Sequence, residues 1–463
     1  MTVDAAVAEF RDRLDLEQRL RPFEPLRYRA SDAGTTAVHL DDFAAIPFLD
    51  GVSGVEHYQH RARLRARGGD FYVASTPASA GYERYCREVL GLGAVELLAV
   101  DPAGDRLAIA RACMENRALL DRLGALARRG GLVVEPFLGT EAIWDLAAAV
   151  VAETGARVRV LAPPPPVTWI ANDKANFEDL VTAVLGPGFL PESRRSASAE
   201  ALARALLELS EAGPSVALKR LRCASAMGNE VFESEALRRH GLRGVLETVR
   251  GFLERTGWEG DEDVLAVCWE PATSSPSTQW WLPPSGSGEP ILGGVYEQIL
   301  AGEEGVFVGS RPSGLAAEVE ERIVSQSGQV AAALQRLGYV GRCSFDHLVL
   351  PDDRVVFTEC NGRWGGTSTP MNLVDRLHPG GRPPYQAQAF VHRELVGLTF
   401  EQLLARLGDT VHDRGSEAGR FLLYNVGPLE EFGKFDVVAL GSSRAHVEEL
   451  MTRELPRRLG LGA

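Results

Sequence analysis

Between Gly341 and Gly366 the chain reads GRCSFDHLVLPDDRVVFTECNGRWGG, two apolar stretches around Pro351, Asp352, Asp353 and Arg354. Those residues have turn-forming composition, so the stretches are expected to fold back as a hairpin whose four-residue loop sets the register. With Leu350 facing Val355, Asp346 falls opposite Glu359. Directly opposed side chains have Cβ atoms about 4.5–5.5 Å apart and like charges there are destabilising, so the pair calls for a cation. Side chains alternate along a strand, which puts Asn361 on the face of Glu359. Two carboxylates and an amide oxygen are hard donors suited to Mg²⁺, which keeps its other positions for water and phosphate oxygens. Arg342 and Arg363 flank the acids, and Gly362, Gly365 and Gly366 allow close approach of a ligand. Cations beside a magnesium site suit a place where phosphate charge develops. The plain alternative is a strand end bearing solvated acids, but the whole constellation favours magnesium-bound nucleotide.

From Asp70 short apolar runs alternate with amphipathic ones: FYVAST, a helix from Tyr82 to Leu90, VELLAVD, a longer helical stretch, GLVVEPF, another helix, and VRVLA. Strands alternating with helices imply a parallel sheet. The run Pro163 to Pro166 is expected as a rigid extended connector and a domain boundary. An extended apolar stretch follows, with Asn172 or Asp173 able to cap the next helix. Helices are expected near Ala199–Glu211, Ser234–Arg255 and Ala316–Leu337, with strands at SVALKRL, VLAVCWE, STQWWLP and PILGGVY. Beyond His378 a polar Gly-Pro segment leads to a helix near Phe400–Leu407, the strands RFLLYNV and FDVVALG, and a terminal helix, which reads as a small α+β appendage.

The 463 residues are enough for two or three domains. A net charge of −14 argues against a duplex nucleic-acid binder. The basic runs Arg61–Arg67 and Arg238–Arg250 read as solvated helix faces. The six cysteines are scattered with no C-x-x-C pair, which suits neither zinc nor a disulfide framework. No apolar stretch of about 18 residues is present, so no membrane partner is expected. The N-terminus lacks an apolar signal region, and the chain is expected to be cytoplasmic with free thiols.

The pattern D-x(12)-E-x-N-x-R from Asp346 to Arg363, at the end of an α/β region, resembles the ATP-grasp superfamily of carboxylate–amine ligases. The resemblance implies an α/β and α+β chain in three parts. These are an N-terminal Rossmann-like pre-ATP-grasp domain (1–166), an ATP-grasp domain of two α+β subdomains clasping ATP (167–378), and a small C-terminal α+β domain (379–463). It implies ATP and two magnesium ions as cofactors, with Asp346, Glu359 and Asn361 on the metals and Arg363 on phosphate or acyl phosphate. Lys174 and Lys219 match the two lysines that hold the phosphates in that superfamily. A charge inside the apolar strand SVALKRL invites a ligand, with a snorkelling edge lysine as the alternative. Lys174 lies at a helix start, an unfavourable end for a cation unless an anion is there too. The segment CASAMGNEVF is either the loop that closes over phosphate, with Ser225, Met227 and Gly228 offering N–H groups, or a plain hairpin turn. Adenine would dock on the strand VLAVCWEP near Cys268, Trp269 and Glu270. Ser277 stands about where an acid holds the ribose, so a hydroxyl or another residue would serve. Arg311 is a phosphate or carboxylate contact or an exposed loop arginine. Of Trp280 and Trp281, one should be core and the other is free to border the acceptor cleft.

Further features are the NDKANF start, FTECNGRWGGTS and a C-terminal part around RFLLYNVGPL. Together they resemble the pheganomycin-type peptide ligases. That implies phosphorylation of a carboxylate, a non-proteinogenic amino acid with a modified α-nitrogen, then attack by the N-terminal amine of a peptide, in natural-product biosynthesis. Arg342 would stabilise the tetrahedral oxyanion, and His347 would be structural. The partners would be the small-molecule acid, the peptide amine and a second copy in a homodimer. The alternatives are a ligase joining two free amino acids, a small-molecule kinase and a non-catalytic ATP-binding module.

Overall fold

The computed structural model describes residues 3–223, 227–260, 262–301, 306–413 and 419–461. Its first sheet is five-stranded and parallel, in the order Glu96–Ala99, Phe71–Ala74, Ala37–Leu40, Leu132–Pro136, Val158–Val160. Val38, Leu40, Val73 and Val134 bury one face against the helices Ile109–Glu115, Arg117–Arg128 and Glu141–Thr154. The central strand Ala37–Leu40 was not expected. Only four residues long and interrupted by His39, it offers no alternation that sequence pattern can register.

The proline run is only half extended. Pro165 and Pro166 open a helix, Pro165–Asn172, with proline at its first positions, where a missing N–H costs nothing. The apolar stretch expected to be extended is therefore helical. Asp173 does cap the following helix, Lys174–Leu185, its carboxylate accepting from the N–H groups of Ala175 at 3.1 Å and Asn176 at 3.2 Å.

A four-stranded antiparallel sheet follows, ordered Ser193–Ser196, Val264–Cys268, Ser215–Arg220, Asn229–Glu233. The helices Ala199–Leu209 and Ser234–Arg255 cover it through Leu202, Leu206, Val245 and Val249.

The third sheet has eight antiparallel strands, in the order Val355–Asn361, Gly341–Val349, Pro276–Leu282, Ile291–Ala301, Val306–Pro312, Tyr385–Val391, Lys434–Leu440, Phe421–Asn425. One face at its first edge packs on the helices Lys174–Leu185 and Ala317–Leu337 through Trp280, Phe345, Phe357 and Phe177. The strands of residues 379–463 continue this same sheet, since Ser310 pairs with Ala387. Their core is shared with the N-terminal part, where Tyr82 and Tyr85 pack on Phe400.

The basic run near residue 61 departs from expectation. Arg61 pairs with Asp436 at 2.5 Å, Arg63 with Glu83 at 2.6 Å, and Arg65 with Asp41. Arg63 and Arg65 are buried. Helical spacing alone could not reveal acids waiting for them on distant segments. Among the described residues no helix is long and apolar enough to cross a membrane, and the six cysteines are free.

Candidate functional site

Asp346 and Glu359 face one another across the hairpin, with Ser344 opposite Asn361. The route to that register differs from expectation. The Leu350 N–H donates to the Arg354 carbonyl at 2.9 Å, which leaves a three-residue loop with Asp353 left-handed at φ 62°. Val349 therefore pairs with Val355, one position off, and a bulge at Thr358 absorbs the difference before the carboxylates.

The acids sit among designed-looking contacts. Asn361 Nδ2 donates to Asp346 Oδ2 at 3.0 Å. Ser277, directly opposite Asp346 on the neighbouring strand, and Gln298 both favour its ionised form. Burial first, and the facing Glu359 second, push the Asp346 carboxyl up from the usual range. Burial also pushes Glu359 up, but Lys174, Lys219 and Arg363 outweigh it and hold that carboxylate below its ordinary value.

Lys174 Nζ lies 3.3 Å from Glu359 Oε2 and 3.4 Å from Cys223 Sγ. Although burial works to lower it, Cys223 and Glu359 hold the Lys174 ammonium above the usual lysine range. Glu359 is thus the anion that a lysine at this helix start requires. Lys219 stands over the Trp269 ring, 5.1 Å from its centroid, and burial depresses its ammonium. Arg363 donates to Asn172 Oδ1 at 3.2 Å, and the same oxygen accepts the Gly362 N–H at 3.0 Å. A small polar cavity is lined by Asn172, Lys174, Cys223, Glu359, Asn361 and Arg363.

The remaining expected residues are distributed around this centre. Trp269, partly exposed, and Glu270, half-buried, directly follow the strand Val264–Cys268. Gly228 accepts from the Arg220 N–H at 2.8 Å, and a side chain there would meet Cys223 at 2.8 Å. Met227 packs toward Phe43, Leu49, Val55 and Leu107 of the N-terminal region. Ser225 lies outside the described residues. Ser277 faces Asp346, and its hydroxyl accepts from Gln279 Nε2 at 3.0 Å. Arg311 is paired with Glu297 at 3.1 Å. His347 is buried, its ring 4.5 Å from that of Phe357.

Arg342 shares the face of Asp346 but lies four positions along the strand, roughly 13 Å at about 3.3 Å per residue. Its guanidinium is 5.5 Å from the ring centroids of both Trp281 and Trp364. Trp280 is core and Trp281 is not. Gln298, Asn172 and Trp364 were missed by sequence reasoning: Asn172 was read only as a helix cap, and Gln298 comes from a strand far in sequence from the hairpin.

The donor set fits a divalent cation. Opposed carboxylates, an amide and a buried Asp346 whose charge is penalised without a counter-ion supply hard oxygens and leave positive charge wanting. Among the described residues no group of three or more His, Cys, Asp or Glu could hold a metal, so any metal here would rest on two acids and amide or hydroxyl oxygens.

The family model described as the Pre ATP-grasp domain matches residues 59–152. No curated protein matches the chain by sequence. Among solved structures, N5-carboxyaminoimidazole synthetase from Staphylococcus aureus complexed with ADP is 8% identical, covering 93% of this chain and 99% of that one at a TM-score of 0.54. Carboxyaminoimidazole ribonucleotide synthase from Aspergillus clavatus complexed with ATP is 12% identical, with 92% and 98% covered and a TM-score of 0.53. A biotin carboxylase–β,γ-ATP complex from Campylobacter jejuni is 12% identical, with 90% of each chain covered and a TM-score of 0.52. What the chain shares with them is the fold, in which a parallel sheet, partly covered by the Pre ATP-grasp domain model, is followed by two antiparallel sheets.

Proposed function

We propose that the chain is an ADP-forming ligase that activates a carboxylate with ATP and joins it to an amine. The observation that carries this reading is Glu359, which faces Asp346 across the hairpin, is held ionised by Lys174, Lys219 and Arg363, and lines a polar cavity with Lys174, Asn361 and Arg363. The nucleotide complexes of the structural neighbours support ATP as the co-substrate.

Asp346, Glu359 and Asn361, helped by Ser277 and Gln298, would hold magnesium. Magnesium supplies charge neutralisation of the nucleotide phosphates and orients them for in-line transfer. Lys174 and Lys219 would bind phosphate oxygens, and Trp269 and Glu270 would lie at the adenine end. Arg363, fixed by Asn172, offers a guanidinium to the transferring phosphoryl group. The substrate carboxylate attacks the γ-phosphorus and ADP leaves. The amine then adds to the acyl phosphate carbonyl, loses a proton and expels phosphate. Positioning and electrostatics are the protein's contribution.

Within that class we favour a peptide as the amine and an N-modified, non-proteinogenic amino acid as the acid, in natural-product biosynthesis. The support is the likeness of FTECNGRWGGTS and the flanking regions to the pheganomycin-type ligases. An ADP-release screen of amino acids with and without peptide acceptors, read by mass spectrometry, tests it. Carboxylate ¹⁸O appearing in phosphate supports the acyl phosphate, and a hit without such transfer rules it out.

A further inference from the structure

Several arginines lie on or beside the eight-stranded sheet, and their pairing separates one from the rest. Arg65 pairs with Asp41, Arg382 bonds Asp375 at 2.8 Å, and Arg363 bonds Asn172. Arg342 makes no ion pair among the described residues, and its buried Nε has no hydrogen-bond partner.

Its surroundings hold the guanidinium in place without neutralising it. Trp281 and Trp364 lie 5.5 Å away by ring centroid. Trp364 is itself fixed, its backbone N–H donating to the Phe137 carbonyl at 3.2 Å and Arg65 lying 4.9 Å from its ring. Packing against indoles leaves the donor edge of a guanidinium open, and that edge matches carboxylate or phosphate in a bidentate way. Burial lowers the Arg342 pKa, with Asp375 the first of the charges opposing it, as expected of a cation lacking a close counter-ion.

We infer that Arg342 anchors an anionic end group of the amine substrate, a carboxylate or a phosphate monoester, at the opposite end of the sheet face from Asp346. The inference rests on the ligase reading. The roughly 13 Å along the strand separates this group from the carboxyl that meets the γ-phosphate, so Arg342 recognises the second substrate rather than the oxyanion.

Calorimetry first measures binding of magnesium β,γ-imido-ATP to the full chain; its absence sinks the ligase reading. With that nucleotide filling the phosphate site, tryptophan fluorescence is titrated with glycylglycine, glycylglycinamide and inorganic phosphate at constant ionic strength. The expected result is a saturable response to glycylglycine, to phosphate or to both, and none to the amide. Glycylglycine alone assigns a carboxylate, and phosphate alone a phosphate ester. Arg342→Met, which keeps apolar packing between the indoles, should weaken that response at least tenfold while nucleotide affinity stays within twofold, and Arg342→Lys should recover part of it. No saturable response in a wild type that binds nucleotide, or one unchanged in Arg342→Met, overturns the inference.

Discussion

The ammonium of Lys174 lies 3.3 Å from Glu359 Oε2, joining the first turn of one helix to the edge strand of the eight-stranded sheet. A cation at a helix start is disfavoured by the helix dipole, and the carboxylate reverses that preference. Lys174→Met should therefore weaken nucleotide binding by about 10- to 100-fold, the span of a charged hydrogen bond. Calorimetry with magnesium ADP measures it, and an unchanged affinity would make Lys174 a structural partner of Glu359 only.

Asp346 holds its proton more tightly in the folded chain than the ordinary carboxyl value of 3.8. Folding thus takes up a proton, and metal-free stability falls as pH rises through the window above 3.8. Asp346→Asn removes the like-charge opposition and should stabilise the EDTA-treated protein at pH 8 by up to about 1 kcal/mol. The same variant should lose the magnesium-dependent part of nucleotide binding. Urea denaturation beside calorimetry separates the two effects, and a variant less stable in EDTA contradicts the account.

Gly362 sits where a Cβ would come within 2.6 Å of Asn172 Nδ2 and 2.8 Å of Ala171 Cβ. Gly362→Ala must displace Asn172, which orients Arg363. Nucleotide affinity should fall at least about tenfold, a change of 1.4 kcal/mol, while the circular dichroism spectrum stays that of the wild type. Equal affinity would mean that Asn172 does not position Arg363.

A chain ending at residue 378 should not fold as a stable unit. It would lose three strands of the eight-stranded sheet and uncover Tyr82 and Tyr85, which pack on Phe400. It would also leave Arg61 without Asp436, and breaking a buried pair costs about 3–5 kcal/mol. A sharp, cooperative thermal transition from the truncated chain would refute this.

Two buried histidines contribute to the loss of stability in acid. Burial lowers His60 from 6.5 to about 4 and His347 from 6.5 to about 3. The unfolded chain then binds more protons below pH 6.5, so stability is complete above that value and falls as pH drops toward the folded values. For His60 the loss is about 3 kcal/mol by pH 4, from roughly 1.4 kcal/mol per unit. His60→Gln should flatten this limb in urea melts taken from pH 7 to pH 4, and an equally steep limb would exclude His60 as a contributor.

Much of this was legible in the chain because the signals are local. The helix at Phe400–Leu407 falls where expected, as does the helical stretch Ser234–Arg255 apart from a break at Gly241, and Asp346 and Glu359 do face each other. What escaped was set by partners distant in sequence. Arg63 and Arg65 look like solvated charge until Glu83 and Asp41 are brought to them. Ser277 comes near Asp346 only because its strand lies beside the hairpin, and Gln298 only because its strand lies next to that one. The correct pairing of the acids also came by two departures that cancel, a shorter loop and the bulge at Thr358.

That cancellation acts as a slip joint. In a plain hairpin, adding or losing one residue at the tip would turn each later side chain to the opposite face, carrying Glu359 and Asn361 away from Asp346. With the spare residue stored at Thr358, a tip one residue shorter than the plain register requires still leaves the carboxylates facing each other.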